Sequence, residues 1–153
     1  MMEKVYLEDY RKGEKFVSPG RTMTEADIVN FASLTGDWHP IHTNLEYAKQ
    51  TQFGERIAHG MLTLCLGGAL LLRLGEHVTL PQKFIAFYGM ESVRFLTPVK
   101  IGDTIRCEAE VVALEAKDDQ RGLITYRNII KNQRDEDAAV FTTKILAARR
   151  PAQ

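Results

Sequence analysis

Apolar residues along this chain follow a helical spacing in the first half and alternate in the second. Ile28, Phe31, Ala32 and Leu34 supply an approximate apolar helix face, which Thr24 followed by Asp27 caps at its start and Gly36 ends. Asn44 can cap a shorter helix running through Gln50. From about Met61 to Leu74 the pattern differs, because Met61, Leu62, Leu64, Cys65, Leu66, Ala69, Leu70, Leu71, Leu72 and Leu74 leave almost no polar face. A helix apolar all round is expected to be buried on nearly every side. Gly67-Gly68 and Arg73 interrupt it, and it falls short of the ~20 apolar residues a bilayer requires. The two glycines weaken the helix but let another backbone approach closely.

After Gly75 the pattern is that of strands. Ile105, Cys107, Ala109 and Val111 alternate with Arg106, Glu108 and Glu110, as in a sheet with one buried face. Further strands are expected from about Lys83 to Leu96, with Gly89 a bulge candidate, from Gly122 to Asn132 and from Ala138 to Arg149. Lys117-Asp118-Asp119-Gln120 forms a polar hairpin turn. No repeat, low-complexity tract or linker divides the chain, so residues 1–153 are expected to form one domain. The fold class is α+β, an antiparallel sheet curled around a central apolar helix. Edge strands and exposed helix surfaces of such a sheet call for a second copy, and a homodimer is the minimum expectation.

Composition narrows the function. Lys+Arg and Asp+Glu are equal at 20 each, so no net field draws nucleic acid or an anionic membrane. At 153 residues the chain can bury roughly 70% of its unfolded surface without a disulfide or metal staple. Cys65 and Cys107 lack any metal-type spacing and are expected to be core thiols. The first ten residues have neither an apolar signal-type stretch nor an Arg-rich, acid-poor character, so a cytoplasmic protein is expected.

The chemistry concentrates in Gly36-Asp37-Trp38-His39-Pro40-Ile41-His42. A carboxylate and an imidazole stand five positions apart, where an ionised carboxylate can orient water or the ring and the ring titrates near neutral pH. Pro40 disfavours the helical conformation at His39, so a shaped, non-helical loop is expected. Gly-Asp after a helix is also an ordinary C-cap and turn.

Downstream stand Asn44-Leu45-Glu46-Tyr47-Ala48-Lys49-Gln50-Thr51 and Phe53-Gly54-Glu55-Arg56-Ile57-Ala58-His59-Gly60-Met61-Leu62. In this order, Phe31 to Leu62 closely resembles the hydratase motif of the MaoC-like family, the (R)-specific enoyl-CoA hydratases and 3-hydroxyacyl-thioester dehydratases of the hotdog fold. Val93-Arg94-Phe95-Leu96-Thr97-Pro98-Val99-Lys100-Ile101-Gly102-Asp103-Thr104 resembles the family's second block, which argues for the fold alone. One position departs from the pattern: His39 stands where the family usually has Asn.

The resemblance implies hydration of a trans-2-enoyl-CoA to the (R)-3-hydroxyacyl-CoA, or the reverse dehydration, with no cofactor and no metal. It places Asp37 as principal base, His42 as orienting partner and proton relay, and the Gly60 amide, at the start of the apolar helix, as donor to the thioester oxygen. Trp38, His39, His59, Met61 and Arg94 are the candidate substrate-binding residues. Read by itself, His59 is a hydrogen-bonded structural residue rather than a second acid. Asp37 with His39, His42 and His59 offers metal-type ligands, but the spacing matches neither a zincin helix nor a zinc finger. Arg94, Lys100 and Arg106 are candidates for the phosphates of CoA or are solvated strand residues. Met61, Leu64, Cys65 and Leu66 line an acyl tunnel or belong to the core. A hotdog acyl-CoA thioesterase and a non-catalytic acyl-CoA-binding protein are the alternative functions.

Overall fold

The computed structural model describes residues 3–152. A 3-10 turn at Leu7–Asp9 and short strands β1 (Lys15–Val17) and β2 (Arg21–Thr22) precede three helices: α1 (Glu25–Thr35), α2 (Pro40–Thr43) and α3 (Leu45–Lys49). The central helix α4 (Gly60–Ala69) follows, and then β3 (Phe84–Phe95), β4 (Thr104–Ala116), β5 (Arg121–Lys131) and β6 (Asp137–Ala148). The antiparallel sheet has the order β1-β4-β5-β6-β3, with β2 paired to β4, and it wraps α4. This is the hotdog arrangement.

Each element forms for a local reason. Thr24 Oγ1 accepts from the Asp27 amide while the Asp27 carboxylate accepts from the Thr24 amide, a reciprocal cap that starts α1. Gly36 ends it at φ 79°, a left-handed conformation that glycine adopts without a Cβ penalty. On β4 the even positions of the alternation face out, and Ile105, Cys107, Ala109 and Val111 are buried under α4 and its neighbours. Gly89 stands at a register shift between β3 and β6, as the bulge expectation requires.

Five expectations change. Residues 36–42 are not wholly non-helical, because Pro40 opens the helical turn α2 that holds His42. At the first position of a helix the missing proline N–H has no partner to lose, and only His39 is forced into extended backbone, at φ −53° and ψ 134°. Leu34 points into solvent at 84% exposure, so Ile28 and Ala32 form the buried stripe of α1. The apolar helix is α-helical only to Ala69 and continues as a 3-10 turn over Leu70–Leu74. It is also not buried all round. Met61, Cys65 and Leu72 are exposed, since the sheet covers one side of the helix, and Cys65 is therefore not a core thiol. Cys107 is one, and burial pushes its thiol up to about 12. No helix among the described residues is long and apolar enough to cross a membrane.

Candidate active site

The loop after α1 is fixed by short hydrogen bonds. The Asp37 amide donates to Thr35 Oγ1, and the His39 amide donates to Asp37 Oδ1 at 3.2 Å, so the carboxylate is held beside the chain that follows it. His39 Nδ1 accepts from the Ile41 amide at 3.2 Å and makes His39 the N-cap of α2. Capping is a task Asn performs well, so His39 does what the more usual residue would do here. Thr43 Oγ1 closes the turn by donating to the carbonyls of Trp38 and His39.

The opposite wall comes from residues 57–60. Ile57 bridges Lys100, and the Ala58 amide donates to the Val99 carbonyl at 2.7 Å. The second sequence block therefore clamps the segment that enters α4. Within that block the buried Asp103 accepts from the Lys100 amide and from Gln133. Burial raises its carboxyl pKa, but the bonds from Gln133, Lys100 and Arg134 outweigh that and hold it below the usual range.

Asp37, His42 and His59 converge, each offering an atom within 4.8 Å of the others. His42 Nδ1 lies 2.8 Å from the Ile57 carbonyl oxygen, and a carbonyl only accepts, so Nδ1 carries a proton and Nε2 is the ring's free base. By the same reasoning His59 donates Nε2–H to the Asp37 carbonyl at 3.0 Å. His59 is 2% exposed, packs against Phe31 and stacks on His42, and its Nδ1 has no partner among the described residues. Desolvation lowers the His42 pKa, with His59 and His39 adding to the effect, against the raising influence of the Ile57 carbonyl and Asp37. His42 is thus held neutral beside an exposed carboxylate, an arrangement suited to taking a proton from water and returning it. Asp37, His42 and His59 are also side chains of a type that ligates metals.

Gly60 opens α4, where the first amides of a helix have no intrahelical acceptor and the dipole is positive. A Cβ on Gly60 would lie 3.1 Å from Phe95, so packing of that ring over the helix entry is one reason for glycine there. Sequence reasoning did not single out Phe95, which lies in the block taken as a marker of the fold.

The remaining candidates separate. Met61, Leu64 and Cys65 line a cavity of about 460 Å³ between α4, its 3-10 extension and the sheet, whereas Leu66 does not line it. Trp38 is 52% exposed and its side chain forms no hydrogen bond among the described residues. Lys100 pairs with Glu55 at 2.6 Å, and Arg106 with Glu108 at 2.8 Å and with Asp135. Arg94 is exposed on β3 and has no ion-pair partner among the described residues.

Comparison with known proteins gives the same outline. The family model of the MaoC like domain matches residues 9–133. A Klebsiella aerogenes protein named Protein MaoC is 39% identical over 132 residues, which are 86% of this chain and 34% of that one. The chain thus spans about a third of the Klebsiella protein. The (R)-specific enoyl-CoA hydratase of Rhodospirillum rubrum is 37% identical over 122 residues, covering 80% of this chain and 78% of the relative. Among solved structures, an X-ray structure described as a monoamine oxidase regulatory protein from Archaeoglobus fulgius superposes with a TM-score of 0.91 at 41% identity, covering 98% of each chain.

Proposed function

The chain belongs to the MaoC-like family, and from that premise we propose that residues 1–153 act as one domain that adds water to trans-2-enoyl-CoA thioesters to give (R)-3-hydroxyacyl-CoA, or removes it in reverse. The observation that carries this reading is the convergence of the Asp37 carboxylate with the free Nε2 of a neutral His42. Water held between them gives its hydroxyl to Cβ and a proton to the pair, and the pair returns a proton to Cα. One water is added and both side chains end as they began. Asp37 is the principal base and His42 the orienting and relaying partner.

The Gly60 amide faces the thioester oxygen as enolate charge develops, where the positive end of α4 stabilises it. Met61 begins the acyl site, Trp38 flanks the entrance, and Arg94 attracts the phosphates of CoA. His39 acts through its cap and His59 from beneath the pair. Protons and backbone dipoles suffice for the reaction, which needs no metal or cofactor.

The active unit is a homodimer joined along β3. Among the described residues that strand pairs only with β6, and it leaves Ile85, Phe87, Tyr88 and Val93 exposed, an apolar edge that a second copy covers. A regulatory role, suggested by the description of the Archaeoglobus structure, does not call for a water-holding acid-base pair. A panel of enoyl-CoA substrates decides the reading, followed at once for loss of the conjugated thioester absorbance and for free CoA thiol. Absorbance loss without thiol is expected; thiol release would mean a thioesterase, and neither signal at any chain length would mean no catalysis.

A further inference from the structure

The cavity beside α4 has one polar patch, and it lies on the sheet wall. Apart from the Cys65 thiol, the polar side chains of the lining are Thr79, Tyr126, Asn128 and Thr143, and no charged side chain among the described residues lines it. Asn128, on β5, is 1% exposed. A buried amide is costly unless both of its ends are hydrogen-bonded. Asn128 is satisfied at one end only. Its Nδ2 donates to Thr143 Oγ1 at 3.0 Å and to the carbonyls of Tyr126 at 3.3 Å and Phe141 at 3.5 Å. Carbonyls only accept, so the nitrogen must be the end that faces them. Oδ1 accepts no hydrogen bond among the described residues, yet protein does not fully enclose it, so it opens onto the cavity.

Thr143 supplies the complementary group. Its hydroxyl accepts from Asn128 and still has a proton to give, which no acceptor among the described residues takes. Tyr126 adds no donor, because its Oη already donates to the Thr79 carbonyl at 3.0 Å. One acceptor and one donor thus stand side by side in an otherwise apolar space. A hydroxyl satisfies both, since its single oxygen donates and accepts. A carboxylate or an ammonium group does not fit, because no opposite charge lines the cavity to compensate its desolvation. A methylene in the same place leaves both protein groups unpaired.

The patch is remote from the reacting centre. Asn128 is the register partner of Phe141, whose Cζ would lie 3.7 Å from a Cβ on Gly68, and Gly68 stands about 12 Å along α4 from Gly60. Resting on the hydratase reading, we propose that Asn128 and Thr143 form a hydroxyl-recognising subsite, which selects thioesters that carry a neutral hydroxyl on the acyl chain well beyond the reacting carbons. Asn128 Oδ1 accepts the hydroxyl proton, and Thr143 Oγ1 donates to the hydroxyl oxygen. Both are specificity-determining residues.

Calorimetric titration of decanoyl-CoA, and of its isomers hydroxylated at each carbon of the distal half, tests this in the wild type, Asn128→Leu and Thr143→Val. In the wild type one isomer should bind at least as tightly as decanoyl-CoA, and the others about tenfold or more weakly, the cost of burying an unpaired hydroxyl. For the favoured isomer, the ratio of its affinity to that of decanoyl-CoA should fall about tenfold in each variant. The two substitutions are close in shape to the residues they replace and lie on different strands, so one keeps the test open if the other does not fold. Every isomer binding more weakly than decanoyl-CoA in the wild type, or a ratio unchanged in either folded variant, would overturn the proposal. Saturated thioesters report binding without hydration, so a hydroxyl preference that the variants lose, in a protein that hydrates no enoyl-CoA, would sink the hydratase reading and leave the subsite standing. Hydration of unsubstituted enoyl-CoAs with no hydroxyl preference would do the reverse.

Discussion

The imidazoles of His42 and His59 lie stacked, with ring centroids 3.9 Å apart and planes 27° from parallel. Each ring also gives one N–H to a backbone carbonyl, His42 to Ile57 and His59 to Asp37. His59 therefore touches both halves of the proposed pair: it bonds the backbone of Asp37 and supports the ring face of His42. Side chains that hold reacting groups in register are worth much, because a displacement of about 1 Å can cost ~10²-fold in rate.

His59→Ala should lower kcat by up to ~10²-fold with little change in KM, since the loss is of position rather than of substrate contact. His59→Gln, whose amide nitrogen can still donate to the Asp37 carbonyl, should recover much of that loss. Steady-state kinetics of the two variants make the comparison; equal defects in both, or a defect confined to KM, would show that His59 does not work through Asp37.

The pH profile follows from the lowered His42 pKa. Desolvation, His59 and His39 hold its folded pKa below the ordinary 6.5 while the Ile57 carbonyl and Asp37 oppose them, so the neutral base persists as pH falls below 6.5. The acid limb of kcat/KM should accordingly have its midpoint below 6.5. The linkage has the matching sign: between the folded value and 6.5 the unfolded state binds more protons, so stability declines as pH falls through that window. Denaturant titrations of wild type and His42→Gln over this range should show a steeper loss in the wild type. An acid limb centred above 6.5 would mean that His42 is not the group being protonated.

Capping explains His39. His39→Ala removes the acceptor for the Ile41 amide and should cost about 1 kcal/mol, a fall in Tm of roughly 2–4 °C. His39→Asn restores a good cap and should retain the wild-type Tm and substantial activity. A stable but inactive His39→Asn would reveal a chemical role for the ring.

The assembly is tested at the sheet edge. Light scattering should report a dimer or a multiple of it, and Ile85→Lys, which places a charge in the exposed apolar edge of β3, should shift the mass toward the monomer. A wild-type monomer with full activity would contradict the shared-sheet account.

Most of the fold and the centre of the candidate site were legible because they depend on local chemistry. Thr24, Asp27 and Gly36 bound α1 by capping and a left-handed turn, and the alternation from Ile105 to Val111 places one face of β4 in the core. Asp37 and His42 stood out by residue type and spacing. What stayed hidden depends on tertiary approach. The carbonyl of Ile57 that sets the His42 tautomer has no side-chain signal, and Phe95 reaches Gly60 from a distant strand. Pro40 was misleading in a physical way, since the rule that breaks helix interiors permits a helix to begin there. The exposed side of α4 was equally hidden, because an all-apolar sequence does not say whether the chain's own sheet or something else covers it.

The most direct test of the central claim compares wild type, Asp37→Asn and His42→Ala on the enoyl-CoA that the panel selects, with chiral analysis of the hydroxy acid formed. Hydroxyl and proton delivered by one water on one face require syn addition, and family membership points to the (R) product. The wild type should consume the conjugated thioester without releasing CoA thiol and give (R)-3-hydroxyacyl-CoA. Each variant should remain folded and dimeric yet lose ~10²–10⁴-fold in turnover. Full activity in either variant, or a predominantly (S) product from the wild type, would contradict the account.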